Sequence, residues 1–396
     1  MNNSFYKHYN IEMNLKVTPP NSLNAGAGIT AKKPRSSNLE LYRIICMLMI
    51  VAHHYVVNSG VSGVGGPLKP DFTSGNSIFL ILFGAWGKTG INCFLMITGY
   101  YMCTSQITLR KFLKLMGQIY LYKWLLFPIL LIAGYESLST LRIIKLLMPT
   151  WGFNSNFIGC FIGFWLTIPF LNILVQNMTK RQHEWLLVLM LTMYTLLGSV
   201  PSFNITFNYV TWFGIIYFIA SYIRIYPKQV FDSKRLWGWM TLAIVIIAIG
   251  SILAQRFIFC ERLGLGYFFV SDSNKFFAVA IAVSSFLWFK NMNIKYSKVI
   301  NAFGAGTFGV LLIHANSDAM RTWLWKNTVD TVGHYTTLAT GELVLYSITV
   351  VFAIFTFCNL IDQLRIATVE KWFFRWYDSK MAVKADAWIN KLTRNN

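Results

Sequence analysis

The chain has 396 residues, of which 55% are hydrophobic, 16% aromatic and only 13% charged, a balance that excludes an ordinary soluble domain. Its formal net charge of +20 raises nucleic acid as a partner, but no basic, aromatic-interleaved soluble module is present to bind it, so that class is set aside. Long apolar runs place the chain instead among polytopic, all-α membrane helix bundles, because lipid offers no partner for an exposed backbone N–H or C=O group.

Residues 1–38 are polar, contain Pro19, Pro20 and Pro34, and lack the apolar core of a cleavable signal peptide. They are expected to form a disordered cytoplasmic tail. Ten segments of spanning length follow, given that roughly 20 residues cross about 30 Å of hydrocarbon. They lie near residues 39–57, 78–101, 113–133, 157–176, 184–200, 207–223, 236–254, 272–289, 303–316 and 338–361. The stretch TSQITLRKFLK before the third span reads as a short amphipathic connector, and the segment from Gly134 to Phe157 as an outside loop long enough to cover a pocket. The ninth span is glycine-rich, a composition that lets helices approach closely around His314. Residues 362–396 form a basic, Trp-containing tail suited to the inner membrane surface.

Placed with the N-terminus inside, 25 of the 35 Lys and Arg residues fall in cytoplasmic segments, seven fall in outside loops, and Lys88, Lys123 and Lys275 fall within spans. That asymmetry is the positive-inside pattern of an even number of crossings with both termini cytoplasmic. The six cysteines show neither CxxC nor His/Cys ligand spacing, so neither a disulfide framework nor a metal site is expected.

Ionisable residues stand inside the first span, and two of them are spaced to share a face. Arg43 and His54 are eleven positions apart, which on a helix is just over three turns, so they share a face within roughly 20° and sit about 16 Å apart along the axis. Ionisable groups at membrane depth usually point into a bundle or a wet cavity, which makes this stripe the leading candidate site. His53 lies about 80° off that face and is secondary.

Four stretches then carry a resemblance. Arg43 and His54 are separated by ten residues and preceded by Glu40; GKTGINCFLMITGYYM holds Gly90, Phe94, Gly99 and Tyr100; Lys111 and Lys114 stand beside Arg110; and FGVLLIH ends at His314. Together they resemble membrane-bound acyltransferase family 3, whose bacterial members O-acylate surface polysaccharides, over essentially residues 38–361. Asn92 stands where many members carry Asp, so no ionised role is assigned to it.

The resemblance implies a multi-pass enzyme of the bacterial inner membrane. Its expected reaction moves an acyl group, most simply acetyl, from acyl-coenzyme A to a sugar hydroxyl of a surface polysaccharide or its lipid-linked precursor. A sugar hydroxyl is a poor nucleophile at neutral pH, and an imidazole titrates in the range a general base requires, so His54 is the expected base. Arg43, with Arg110, Lys111 and Lys114, is expected to gather the phosphates of acyl-coenzyme A, since guanidinium and ammonium groups suit phosphate oxygens. The plain alternative is that these four anchor the inside face, Arg43 pairing with Glu40. His314 is expected either to position the acceptor or to bond a neighbouring helix. Trp165 and Trp151 offer rings on which a sugar can stack, against the commoner role of interfacial belt residues. A transporter or flippase of glycan intermediates is the rival from another class, the same polar stripe then lining a passage.

Overall fold

The computed structural model describes residues 36–148, 157–258 and 266–381. Residues 1–35 of the expected N-terminal tail, Trp151 and residues 382–396 lie outside the described residues, while Ser37 and Asn38, expected to end that tail, are buried in the first turn of the first helix. The described residues form helices joined by loops, without a strand. In order the helices are α1 (Ser37–Val57), α2 (Gly75–Gly84), α3 (Gly87–Met102), α4 (Leu109–Ile132), α5 (Thr140–Leu147), α6 (Phe157–Asn177), α7 (Lys180–Met190) and α8 (Tyr209–Ile225). They are followed by α9 (Lys234–Ile258), α10 (Phe276–Lys290), α11 (Lys298–His314), α12 (Asp318–Arg321), α13 (Thr331–Thr337), α14 (Thr340–Arg365) and α15 (Lys371–Lys380).

Each of the ten expected spans falls on helix. By length and composition six runs are sufficient to cross a membrane, or seven if α11 and the helices after it, bent by 93° at a short break, are one span. The expected spans near 207–223 and 272–289 are the shorter apolar helices α8 and α10. The one near 184–200 begins as α7, then widens into a π-helical stretch, Leu191–Leu196, before a 3-10 turn. The stretch expected as a separate connector before the third span is partly absorbed into α4, which starts at Leu109 under a Thr108 cap. The last span does not stop near residue 361 but runs on as helix through Arg365, a π-turn and α15.

The centre of the bundle is α1, packed against α2, α3, α10, α11 and α14. Its start is pinned by polar side chains: the Asn38 amide donates to the carbonyls of Phe289, Lys290 and Met292 at 2.9–3.2 Å, and Ser37 Oγ donates to Asn301 Oδ1 at 3.1 Å. Glycines seat its length. Gly84, Gly87 and Gly90 recur every third residue along α2 and α3, so they lie on one face. A Cβ on Gly90 would stand 2.9 Å from the Cys46 carbonyl oxygen, and one on Gly87 would strike the His53 ring. On the other flank Gly304 and Gly309 of α11 bring that helix against Glu40 and Asp362. This double close approach, of the kind small residues permit between membrane helices, fixes where His53, His54 and His314 meet.

Candidate active site

At the C-terminal end of α1, His54 Nδ1 lies 2.9 Å from Nε2 of His314 on α11. His314 Nδ1 in turn lies 2.6 Å from the Val310 carbonyl oxygen, one turn earlier on its own helix. A carbonyl only accepts, so His314 Nδ1 carries the proton and donates to it. In the neutral ring Nε2 is then an acceptor, and the hydrogen in the inter-histidine contact belongs to His54 Nδ1. That leaves His54 Nε2 with a free lone pair. His314 is buried, and Trp325 stands edge-on to it at 6.0 Å and to Tyr55 at 6.2 Å, while Ser347 Oγ donates to Tyr55 OH at 2.9 Å. The second imidazole is therefore locked, and through it the first.

His54 and His53 line a cavity of about 710 Å³, within the usual range for a small-molecule site. Its wall includes Ile50 and Asn58 of the α1 end, Lys88 and Ile91 of α3, Lys123 and Phe127 of α4, Phe157 of α6, Tyr209 of α8, and Asn316 to Asp318 at the sharp bend after α11. His53 Nδ1 donates to the Gly84 carbonyl at 2.6 Å. The helix α5 also closes this wall. It is amphipathic, turning Arg142 and Lys145, one turn apart, to the cavity while Ile143, Ile144 and Leu147 stay exposed on the opposite side. Its end is held by Tyr120 OH and Lys123 Nζ, which donate to the Leu147 and Lys145 carbonyls at 2.9 and 3.2 Å.

The loop between α1 and α2 is anchored as well. Asp71 accepts from Ser74 and Tyr335, and Arg256 donates to the Asp71 carbonyl and, at 2.5 Å, to Ser77 Oγ. Partial burial pushes the Asp71 carboxyl up, but the hydrogen bonds from Ser74 and Tyr335 outweigh it and hold the group below the usual carboxylate value. Asp71 is thus ionised, and an acceptor, at neutral pH.

The other residues singled out from the sequence lie elsewhere. Arg43 pairs with Glu40 at 3.5 Å, its side chain a quarter exposed, and is not among the residues lining the cavity. Arg110 makes a two-pronged bond to Asp378 at 3.1 Å, Lys111 donates to Ser105 Oγ and the Gln106 carbonyl at 2.6 Å, and Lys114 pairs with Glu370. Trp165 is buried on α6 against Phe112, ring centres 5.7 Å apart, and does not reach the cavity. Asn92 is buried and uses both ends of its amide: Nδ2 donates to the Ser273 carbonyl at 2.7 Å, and Oδ1 accepts from Trp212 Nε1 at 2.9 Å. A neutral amide does both at once, where an ionised Asp could only accept, which fits Asn to this position. Among the described residues no group of three or more His, Cys, Asp or Glu side chains could hold a metal ion.

The family model of the acyltransferase 3 acyltransferase domain matches residues 36–359. The chain belongs to that family. The match runs from the residue that precedes α1 to within α14, so the histidine pair and the cavity both lie inside it. No curated protein and no solved structure is significantly similar to the chain. It is a multi-pass membrane acyltransferase.

Sequence reasoning passed over Trp325 and the cavity cations Lys88, Lys123, Arg142, Lys145 and Arg321. The one signal it held was their unexpected position, in spans or in loops on the side that positive-inside charge leaves sparse.

Proposed function

We propose that the protein transfers an acyl group, most simply acetyl, from acyl-coenzyme A to a sugar hydroxyl of a cell-surface polysaccharide or its lipid-linked precursor. The observation that carries this reading is the bare Nε2 of His54, left on the cavity side once Nδ1 is committed to His314. His54 Nε2 takes the proton of the attacking hydroxyl as its oxygen closes on the thioester carbonyl. The carbon–sulfur bond breaks, coenzyme A leaves as thiolate, and the imidazolium returns the proton to sulfur, so the histidine is neutral again. In a second route Nε2 itself attacks the thioester and passes the acyl group on.

The donor is placed at the opposite end of α1. Arg43, Arg110, Lys111 and Lys114 receive its phosphates there, giving up their present partners. That exchange is cheap for the half-exposed Arg110–Asp378 pair, because surface ion pairs contribute only about 0.2–1 kcal/mol. The setting is a bacterial inner membrane with both termini cytoplasmic, and the orientation is supported by the distribution of Lys and Arg. His314, in this scheme, positions His54 and does not touch the acceptor.

The test is transfer of labelled acetyl from acetyl-coenzyme A by the protein in liposomes with glycan on the far side. Ester-linked label on glycan is expected. Movement of glycan between leaflets with no consumption of acetyl-coenzyme A would replace this reading by the transporter. Label trapped on protein in the absence of acceptor selects the acyl-His54 route.

A further inference from the structure

Ten basic residues are left over from the inside segments: seven in the remaining loops and three within spans. Topology does not call for them, yet five of the ten, Lys88, Lys123, Arg142, Lys145 and Arg321, converge on the cavity that holds His54. Among the described residues only two carboxylates, Glu136 and Asp318, share that wall, leaving a surplus of three positive charges there. The carboxylates are already engaged, Glu136 with Arg142 at 3.5 Å and Asp318 with Arg321 at 3.1 Å, and Lys88 lies 3.6 Å from Asp272 behind the wall. Lys123 and Lys145 have no carboxylate within ion-pair distance among the described residues. Arg321 Nε is buried without a hydrogen-bond partner among the described residues.

Gathering like charges around a recess half enclosed by helices costs free energy unless an anion arrives to offset it. The recess is also the place where the hydroxyl must reach His54. We propose that this vestibule selects an acceptor glycan bearing its own negative charge, a uronate carboxylate or a phosphate near the hydroxyl that is acylated. The inference rests on the acyltransfer reading for its purpose but not for its evidence. Lys123 and Lys145 make the contact with the anion. Arg142 and Arg321, braced by their own carboxylates, line the approach, and the field of all five concentrates anionic sugar near the base.

The test is equilibrium binding to the full-length protein in nanodiscs, with no donor present. Trigalacturonic acid is compared with its methyl ester, and mannose 6-phosphate with mannose, so that the two arms tell a carboxylate from a phosphate. At least one charged probe is expected to bind about tenfold or more tightly than its neutral partner. That preference should shrink as salt rises, because screening shortens to about 3 Å at 1 M, and should fall at least fivefold in the double variant Lys123→Gln, Lys145→Gln. Equal binding within both pairs on the unaltered protein overturns the proposal, as does a preference that survives the double substitution. Loss of acetyl-coenzyme A affinity in that variant, with charged-over-neutral selectivity intact, overturns it too and assigns the cations to the donor's phosphates. Charge selectivity in a protein that acylates no acceptor leaves the vestibule standing and sinks only the acyltransfer reading.

Discussion

Replacing His314 by Ala probes the histidine pair where it is most exposed to refutation. The substitution removes the acceptor that lies 2.9 Å from His54 Nδ1, and His314 is not itself among the residues lining the cavity. His54 Nδ1–H is then a half-buried donor with no partner, a loss that amounts to about 1–3 kcal/mol. The ring relieves it by moving its proton to Nε2, which turns the base into a donor, or by rotating away. At 1.36 kcal/mol per factor of ten, the expected fall in kcat is about 5- to 150-fold. KM for both substrates should hold within about threefold, since neither is touched by His314. His314→Gln offers an amide oxygen to the same proton and should recover part of the rate. The assay is steady-state transfer of labelled acetyl in proteoliposomes at saturating donor, with thermal unfolding of each variant to show that α11 still seats. If His314→Ala keeps kcat within twofold of the original, or if Gln is no better than Ala at equal stability, the tautomer scheme is wrong.

Asn92→Asp should destabilise the protein by about 3 kcal/mol, because a carboxylate cannot donate to the Ser273 carbonyl and would be buried without a countercharge; an unchanged unfolding temperature would refute the two-sided amide. Gly90→Ala brings a methyl to 2.9 Å from the Cys46 carbonyl, and overpacking of that kind costs about 1–3 kcal/mol. It should lower the unfolding temperature and the rate together as α1 shifts; full stability would show that α1 is not tightly seated. Arg43→Ala should weaken acetyl-coenzyme A binding to nanodisc-held protein by about 10- to 100-fold, the worth of one charged contact. Unchanged affinity would remove Arg43 from the donor site and return it to Glu40 alone.

The helices were legible in the sequence because twenty apolar residues have few alternatives at membrane depth. Their borders were less so: α4 takes up most of the expected connector, and nothing in the residues around 361 announces that α14 continues. The candidate base was legible as well, since an imidazole on the stripe of Arg43 stands out in an apolar helix. Its partner was not. His54 and His314 are 260 positions apart, and no local pattern tells a histidine that meets a ligand from one that meets another histidine. The cavity cations come from α3, α4, α5 and α12, so their convergence belongs to the packing, and each alone looked like a stray charge. Trp325 was hidden for a related reason: it lies in a π-helical stretch, Thr322–Thr328, where the ordinary helical period no longer says which way a side chain faces.

The central claim is that His54, held by His314 and facing the charged cavity, is the base of acyl transfer. It is tested most directly by kcat of His54→Ala in liposomes, with acetyl-coenzyme A binding and unfolding temperature measured on the same preparation. The account predicts a loss of about 10²- to 10⁴-fold, the usual contribution of a positioned base, with binding and stability retained. Activity within a few-fold of the unaltered protein would contradict it.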